Sequence, residues 1–124
     1  MPENRITERI IKCAIAVYRE IGPGLLESVY EEALDIECKI EGLHVSRQFK
    51  VPVLYRGQTI GEYQPDMLID DSVIVETKSV ERFDPVFEAQ VLTCLKITSK
   101  RVGLLINFNS RLVKDGIKRF ILTQ

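Results

Sequence analysis

Near its middle the chain reads Tyr-Gln-Pro-Asp-Met-Leu-Ile-Asp-Asp-Ser-Val-Ile-Val-Glu-Thr-Lys, from Tyr63 to Lys78. Two apolar, strand-like runs lie here, and Asp66, Glu76 and Lys78 fall where such strands are buried. An unpaired carboxylate in a protein interior is expensive, so a strand that carries Glu76 and Lys78 inward must also supply partners for them. The loop between the runs decides whether those partners are each other. With a two-residue Asp70-Asp71 turn, Asp66 pairs with Val75, and Asp66 and Glu76 face opposite ways. With a three-residue loop, Asp70-Asp71-Ser72, Asp66 lies across from Glu76, with Cβ atoms ~5 Å apart. Lys78 follows Glu76 by two residues and shares its face. The three-residue loop is the expectation, with Met67, Ile69, Val73 and Val75 buried on the other face.

The rest of the chain supplies a frame for this pair. Asn4 is placed to cap a first helix whose stripe is Ile6, Ile10, Cys13, Ala14, Val17 and Ile21. Gly22-Pro23-Gly24 stops it. A second helix is expected from about Leu25 to Glu41, with Val29, Ala33, Leu34, Ile36 and Ile40 inward and Gly42 as its stop. Val45 to Tyr55, Thr59 to Ile69 and Val73 to Val80 then read as a three-stranded antiparallel meander. Pro52 marks an edge or a bulge. Asp84-Pro85 opens a third helix, cap then first residue, with Val86, Ala89, Val91, Leu92 and Leu95 as its apolar set. The run from Arg101 to Phe108 is almost wholly apolar, as in a strand covered on both faces. A last strand spans about Ile117 to Leu122. The order is α-α-β-β-β-α-β-β in one domain, residues 1–124.

Composition excludes several classes. No stretch approaches the ~18 apolar residues of a membrane span, and no signal peptide is evident at the start. Cys13, Cys38 and Cys94 lack metal-ligand spacing and read as buried, reduced thiols of a cytoplasmic protein. His44 is the only histidine and reads as a surface residue, which argues against histidine-dependent hydrolysis. Residues 1–77 carry 8 basic and 14 acidic side chains, and residues 78–124 carry 9 basic and 4 acidic. The basic C-terminal part is either a phosphate-facing surface or an ordinary solvated one.

Two adjacent carboxylates repel unless a positive group sits between them. Magnesium suits such a pair, because it takes oxygen ligands, keeps several waters and binds substrate phosphate. A cation there can polarise a phosphoryl oxygen and lower the pKa of a bound water. Lys78 can orient that water or stabilise charge developing on the phosphate. The same spacing also fits a buried Asp-Glu-Lys ion network with no chemistry.

Pro65-Asp66, nine residues, then Glu76-Thr77-Lys78 resembles the PD-(D/E)XK signature of a large nuclease superfamily. Gly24-Leu25-Leu26-Glu27-Ser28-Val29-Tyr30 looks like the defining motif of the GxxExxY family, a small prokaryotic group assigned to that fold. Further likeness runs through Tyr55-Arg56-Gly57, Gly61-Glu62-Tyr63, Ala89-Gln90 and Gly103 to Phe108, so that it covers about Ile6 to Leu122. The resemblance implies an α/β fold, a mixed central sheet flanked by helices of restriction-endonuclease-like type. It implies a Mg2+- or Mn2+-dependent nuclease acting on DNA or RNA. Asp66 and Glu76 would be metal ligands, with the Thr77 carbonyl able to join them, and Lys78 the catalytic lysine. Glu27 looks like the extra acidic residue that many such nucleases place beside the metal. Gln90 is similar to the glutamine of a QxxxY motif that shapes the site near Lys78. Cys94 stands at that motif's tyrosine position, and Tyr18 and Phe87 stand where histidine is frequent in such relatives. The other readings are an inactive member that binds nucleic acid or a protein partner, or the ion network. One small domain contacts only part of a duplex, so a homodimer is plausible.

Overall fold

The computed structural model describes residues 1–123. Three α-helices and seven strands appear in the order α1 (Pro2–Ile21), α2 (Glu27–Ile40), β1 (Val45–Arg47), β2 (Val51–Tyr55), β3 (Gln58–Tyr63), β4 (Met67–Ile69), β5 (Val73–Lys78), α3 (Pro85–Thr98), β6 (Val102–Asn107) and β7 (Ile117–Ile121). A short 3-10 turn, Val113–Gly116, precedes β7. The main sheet has the order β1-β4-β5-β6-β7. β5 and β6 are parallel, and the other pairings are antiparallel. None of the helices is long and apolar enough to cross a membrane among the described residues.

The expected succession of helices and strand blocks holds, but two of the three meander blocks are each broken in two. Val45 to Tyr55 breaks after β1, where Gln48 takes a left-handed φ of 58°. Thr59 to Ile69 breaks at Gln64-Pro65, since proline has no N–H to give a ladder. The inner halves, β1 and β4, stay in the sheet beside β5. The outer halves, β2 and β3, leave it as a separate hairpin. Pro52 lies in that two-stranded hairpin, next to a register shift between Val53 and Leu54. The expectation of an edge or a bulge is met by this position in a two-stranded hairpin, with the irregularity one step beyond the proline.

α1 and α2 cover one sheet face. Ile10, Ala14, Tyr30 and Leu34 pack there against Met67, Val75, Leu104 and Ile106. α3 covers the other, with Val91, Cys94 and Leu95 against Leu68, Ile74 and Leu105. Asp84 caps α3 as expected, accepting from the Val86 N–H at 2.9 Å. All six residues of β6 are buried, as its continuous apolar run requires. α1 starts earlier than expected, with Met1 as cap and Pro2 at the first position, so Asn4 lies inside the helix.

α2 is rotated from the expected orientation. Its buried residues are Tyr30, Leu34, Asp35 and Cys38, while Val29, Ile36 and Ile40 face solvent. Tyr30 explains the rotation. Its ring stacks on Phe108 with centroids 4.6 Å apart. Its hydroxyl donates to the Gly22 carbonyl at 2.6 Å and accepts from the Leu25 N–H at 3.1 Å. Burying that aromatic together with its two anchors outweighs burying Val29 one residue earlier.

Three of the C-terminal basic residues are held in ion pairs. Arg101 donates to Glu3 of α1 at 2.6 and 2.9 Å, Lys100 pairs with Asp71 at 3.5 Å, and Lys118 pairs with Glu88 at 3.3 Å. Arg101 and Lys100 thus reach back to acidic residues of the first half, while Lys118 pairs within the basic half.

Gly116 closes the turn into β7. A Cβ there would collide with the Asn107 carbonyl oxygen and with Ser110 Oγ. Gly116→Ala must therefore displace the backbone at the end of β6. It is expected to lose about 2 kcal/mol of stability, seen as a lower urea midpoint. An unchanged midpoint would show that the 107–110 loop moves freely.

Candidate active site

The β4–β5 register fixes the geometry. Met67 pairs with Val75 and Ile69 with Val73, so the loop between the strands holds three residues, Asp70 to Ser72. Asp66 stands one step beyond the last pair, opposite Glu76. Its Oδ2 accepts from the Thr77 N–H at 2.8 Å and from Thr77 Oγ1 at 3.2 Å. Buried Pro65 precedes it and stiffens the entry into β4. Along β5, Val73 and Val75 point into the α1/α2 core and Ile74 points toward α3. Glu76 and Lys78 share the phase of Ile74.

Glu76 is only 6% exposed. Tyr63, at the base of the β2–β3 hairpin, donates its hydroxyl to Glu76 Oε1 at 3.3 Å. Burial, and then the adjoining Asp66 charge, push the Glu76 carboxyl up to about 8. Lys78 pulls in the opposite direction but does not prevail. The Tyr63 phenol is itself held up by burial and by Glu76. Burial and Glu76 likewise push the Cys94 thiol up to about 12. Cys94 is fully buried and un-ionised, which suits packing beneath Glu76 and not nucleophilic attack.

Lys78 lies between two helices. Its Nζ is 3.7 Å from Glu27 Oε1 at the start of α2 and 4.8 Å from the centroid of the Phe87 ring on α3. The Gly-Pro-Gly turn delivers Glu27 to this position. Gly24 has a left-handed φ of 94°, and the Tyr30 hydroxyl clamps both sides of the turn. Ser79 Oγ then donates to the Leu25 carbonyl at 2.6 Å, tying the turn to the segment after β5. Asn107, paired across from Lys78, holds that segment through Val80 at 3.1 and 2.9 Å. All of this sits at the C-terminal ends of the parallel strands β5 and β6, where open α/β sheets form their ligand crevices.

Asp66, Glu76 and Lys78 therefore come together, while Glu27 meets the cluster through Lys78. Glu27 remains about half exposed. Gln90 lies on the α3 face between Phe87 and Cys94 but is exposed to solvent. Tyr18 lies elsewhere. Its hydroxyl donates to the Ser110 and Arg111 carbonyls, fastening α1 to the loop after β6.

The sequence reading missed Glu31 and Arg47. Glu31 lies beside Asp66, and burial pushes its carboxyl up, aided by the Asp66 charge. Arg47 opposes that shift and donates to Glu31 at 3.0 Å from Nε, while its Nη1 reaches Glu32 at 2.9 Å and Asp35 at 3.1 Å. The available signal was spacing, because Glu31 follows Glu27 by four residues and so lies on the same helix face.

A buried carboxyl raised by a second carboxyl is an arrangement that a hard cation would relieve. Among the described residues no three His, Cys, Asp or Glu side chains converge into a cation cage. The donors present, two carboxylates and no thiolate or imidazole, suit a hard oxygen-ligated cation such as magnesium or manganese and not a closed zinc site.

No curated protein and no solved structure matches the chain. The family model of the PD-(D/E)XK nuclease superfamily matches residues 4–120, nearly the whole length. The signature residues of that superfamily are the ones that the β4–β5 register sets side by side, and the chain belongs to the PD-(D/E)XK nuclease superfamily.

Proposed function

We propose that this protein is a Mg2+- or Mn2+-dependent nuclease that hydrolyses phosphodiester bonds in DNA or RNA, working in the cytoplasm. The observation that carries the reading is the buried Glu76 carboxyl beside Asp66, with Lys78 two residues further on. Asp66 and Glu76 would hold the cation, with Glu27 as a further acidic group at its margin. When bound, the cation would supply Lewis-acid polarisation of the phosphate and a lower pKa for water. Thr77 fixes the Asp66 carboxylate through two hydrogen bonds, and Tyr63 orients Glu76. Lys78 is placed to stabilise charge that develops on the phosphate. Phe87 and the aliphatic neighbours of Glu76 keep the site poor in water, which strengthens each of these interactions. Gln90 borders the approach on α3 and would contact substrate.

A second reading has its own support. Lys78 is engaged by Glu27, and Cys94 replaces the tyrosine of the QxxxY motif. A member that has lost catalysis would keep this groove as a binding module for nucleic acid or a protein partner. Cleavage assays on single-stranded, duplex and branched substrates separate the readings. The nuclease should cut at least one of them with magnesium or manganese, and Glu76→Ala should not. Binding without cleavage under every metal condition would establish the second reading.

Metal should also stabilise the fold. A cation bound only to the native state adds about 2.7 kcal/mol at 100 times its dissociation constant. Millimolar manganese is expected to raise the melting temperature of the wild type, and Asp66→Asn should remove the shift. No shift at saturating metal would favour a structural ion network.

A further inference from the structure

We propose that the outer face of α2 is a self-association surface, on which a second copy of this chain docks with its own α2 antiparallel. This does not depend on the nuclease reading. Leu26, Val29, Ala33, Ile36 and Ile40 recur at alternating steps of three and four residues, the spacing of a helix-pairing seam. The seam points away from the core. Leu26 is 75%, Val29 41%, Ile36 59% and Ile40 73% exposed. Scattered exposed apolar residues are ordinary, but a continuous stripe along one helix marks an interaction site. Ala33 keeps the middle of the stripe flat, and Val17 and Ile21 of α1 border it there. A second helix can therefore approach closely.

The flanking charges identify the occupant. Glu32 and Lys39 lie on the same flank of the seam, seven residues apart, with side chains 63% and 61% exposed. Within the chain Glu32 also meets Arg47 at 2.9 Å and Lys39 meets Asp35 at 3.1 Å, so a second copy would share these pairs. In an antiparallel pair, Ala33 packs against Ile36 of the second copy and Val29 against Ile40. That register sets Glu32 within about 3 Å, along the helix axis, of Lys39 of the second copy. The two-fold axis generates the pair twice. A parallel pair would instead set Glu32 against Glu37 of the second copy, a repulsive match. The surface thus complements itself in one orientation only. The same two-fold sets the two Glu27 residues about 22 Å apart along the paired helices, so each copy keeps its own site open.

Sedimentation of the full chain across the micromolar range tests the proposal. The wild type should form a dimer, and Ile36→Glu should weaken it by at least about 100-fold, because the change strands two charges in the seam. Ile40→Glu should act likewise, and circular dichroism should show both variants folded, since neither position is buried. Glu32→Lys should weaken the dimer about tenfold, and Glu32→Lys combined with Lys39→Glu should restore it. A wild type that stays monomeric overturns the proposal, as does association that Ile36→Glu and Ile40→Glu leave unchanged. A double charge reversal no better than the single one overturns the antiparallel arrangement.

Discussion

Lys78→Ala is expected to lower the cleavage rate by about 1,000-fold while leaving affinity for nucleic acid within a few-fold. The ammonium lies 3.7 Å from Glu27 and 4.8 Å from the Phe87 ring, in a partly buried position at the end of β5. A cation held there acts most strongly when negative charge develops on the phosphate, so its loss acts on the transition state more than on binding. Three measurements on this variant discriminate between the readings. In a binding module there is no cleavage to lose, and affinity falls with a shallower salt dependence. In a structural ion network the melting temperature falls sharply, because buried carboxyls lose their counter-charge. In the nuclease the rate falls and the other two change little. Equal cleavage by variant and wild type would remove Lys78 from the chemistry.

Glu76→Gln is expected to abolish most of the pH dependence of the metal-free protein's stability. Burial and Asp66 hold the Glu76 carboxyl at about 8 in the folded state, against 4.5 for an ordinary glutamate. The native state therefore binds more protons than the unfolded state between those values. Stability from this group is full below the lower value and is lost as pH rises through the upper one. The loss is on the order of 5 kcal/mol if the whole shift is realised. The wild type should thus become less stable from mildly acid to alkaline pH. Glu76→Gln, neutral throughout, should remain nearly flat and be the more stable protein at alkaline pH. Manganese should rescue the wild type there and leave Glu76→Gln unaffected, since a bound cation replaces the proton. Parallel stability–pH curves for the two proteins would show that Glu76 titrates normally.

Much of this arrangement was legible before any coordinates. Asp84-Pro85 carries its cap and first-turn signals locally, and β6 announces burial on both faces by its unbroken apolar run. The three-residue loop followed from asking which register lets Asp66 and Glu76 share a partner. Other features depend on contacts between distant segments. The rotation of α2 comes from Tyr30 meeting Phe108, 78 residues further along. A stripe that reads as core thereby became surface. The breaks at Gln48 and Pro65 divide long alternating runs, and alternation alone does not show where a strand leaves a sheet. Glu31 and Arg47 were missed because Arg47 lies on β1 and finds Glu31, Glu32 and Asp35 only after α2 docks beside it. Glu27 was read as a group beside the metal, and its partner in the fold is Lys78. That pair must open, or be shared, if Glu27 is to act on a cation.

The central claim is that Asp66 and Glu76 together form a divalent-metal site. Manganese titration by calorimetry measures it most directly, on wild type, Asp66→Asn and Glu76→Gln. The wild type should bind one ion per chain and release a proton near neutral pH, because Glu76 must ionise to bind it. Both variants should lose that binding. Equal titrations for all three proteins, or wild-type binding with no proton released, would contradict the account.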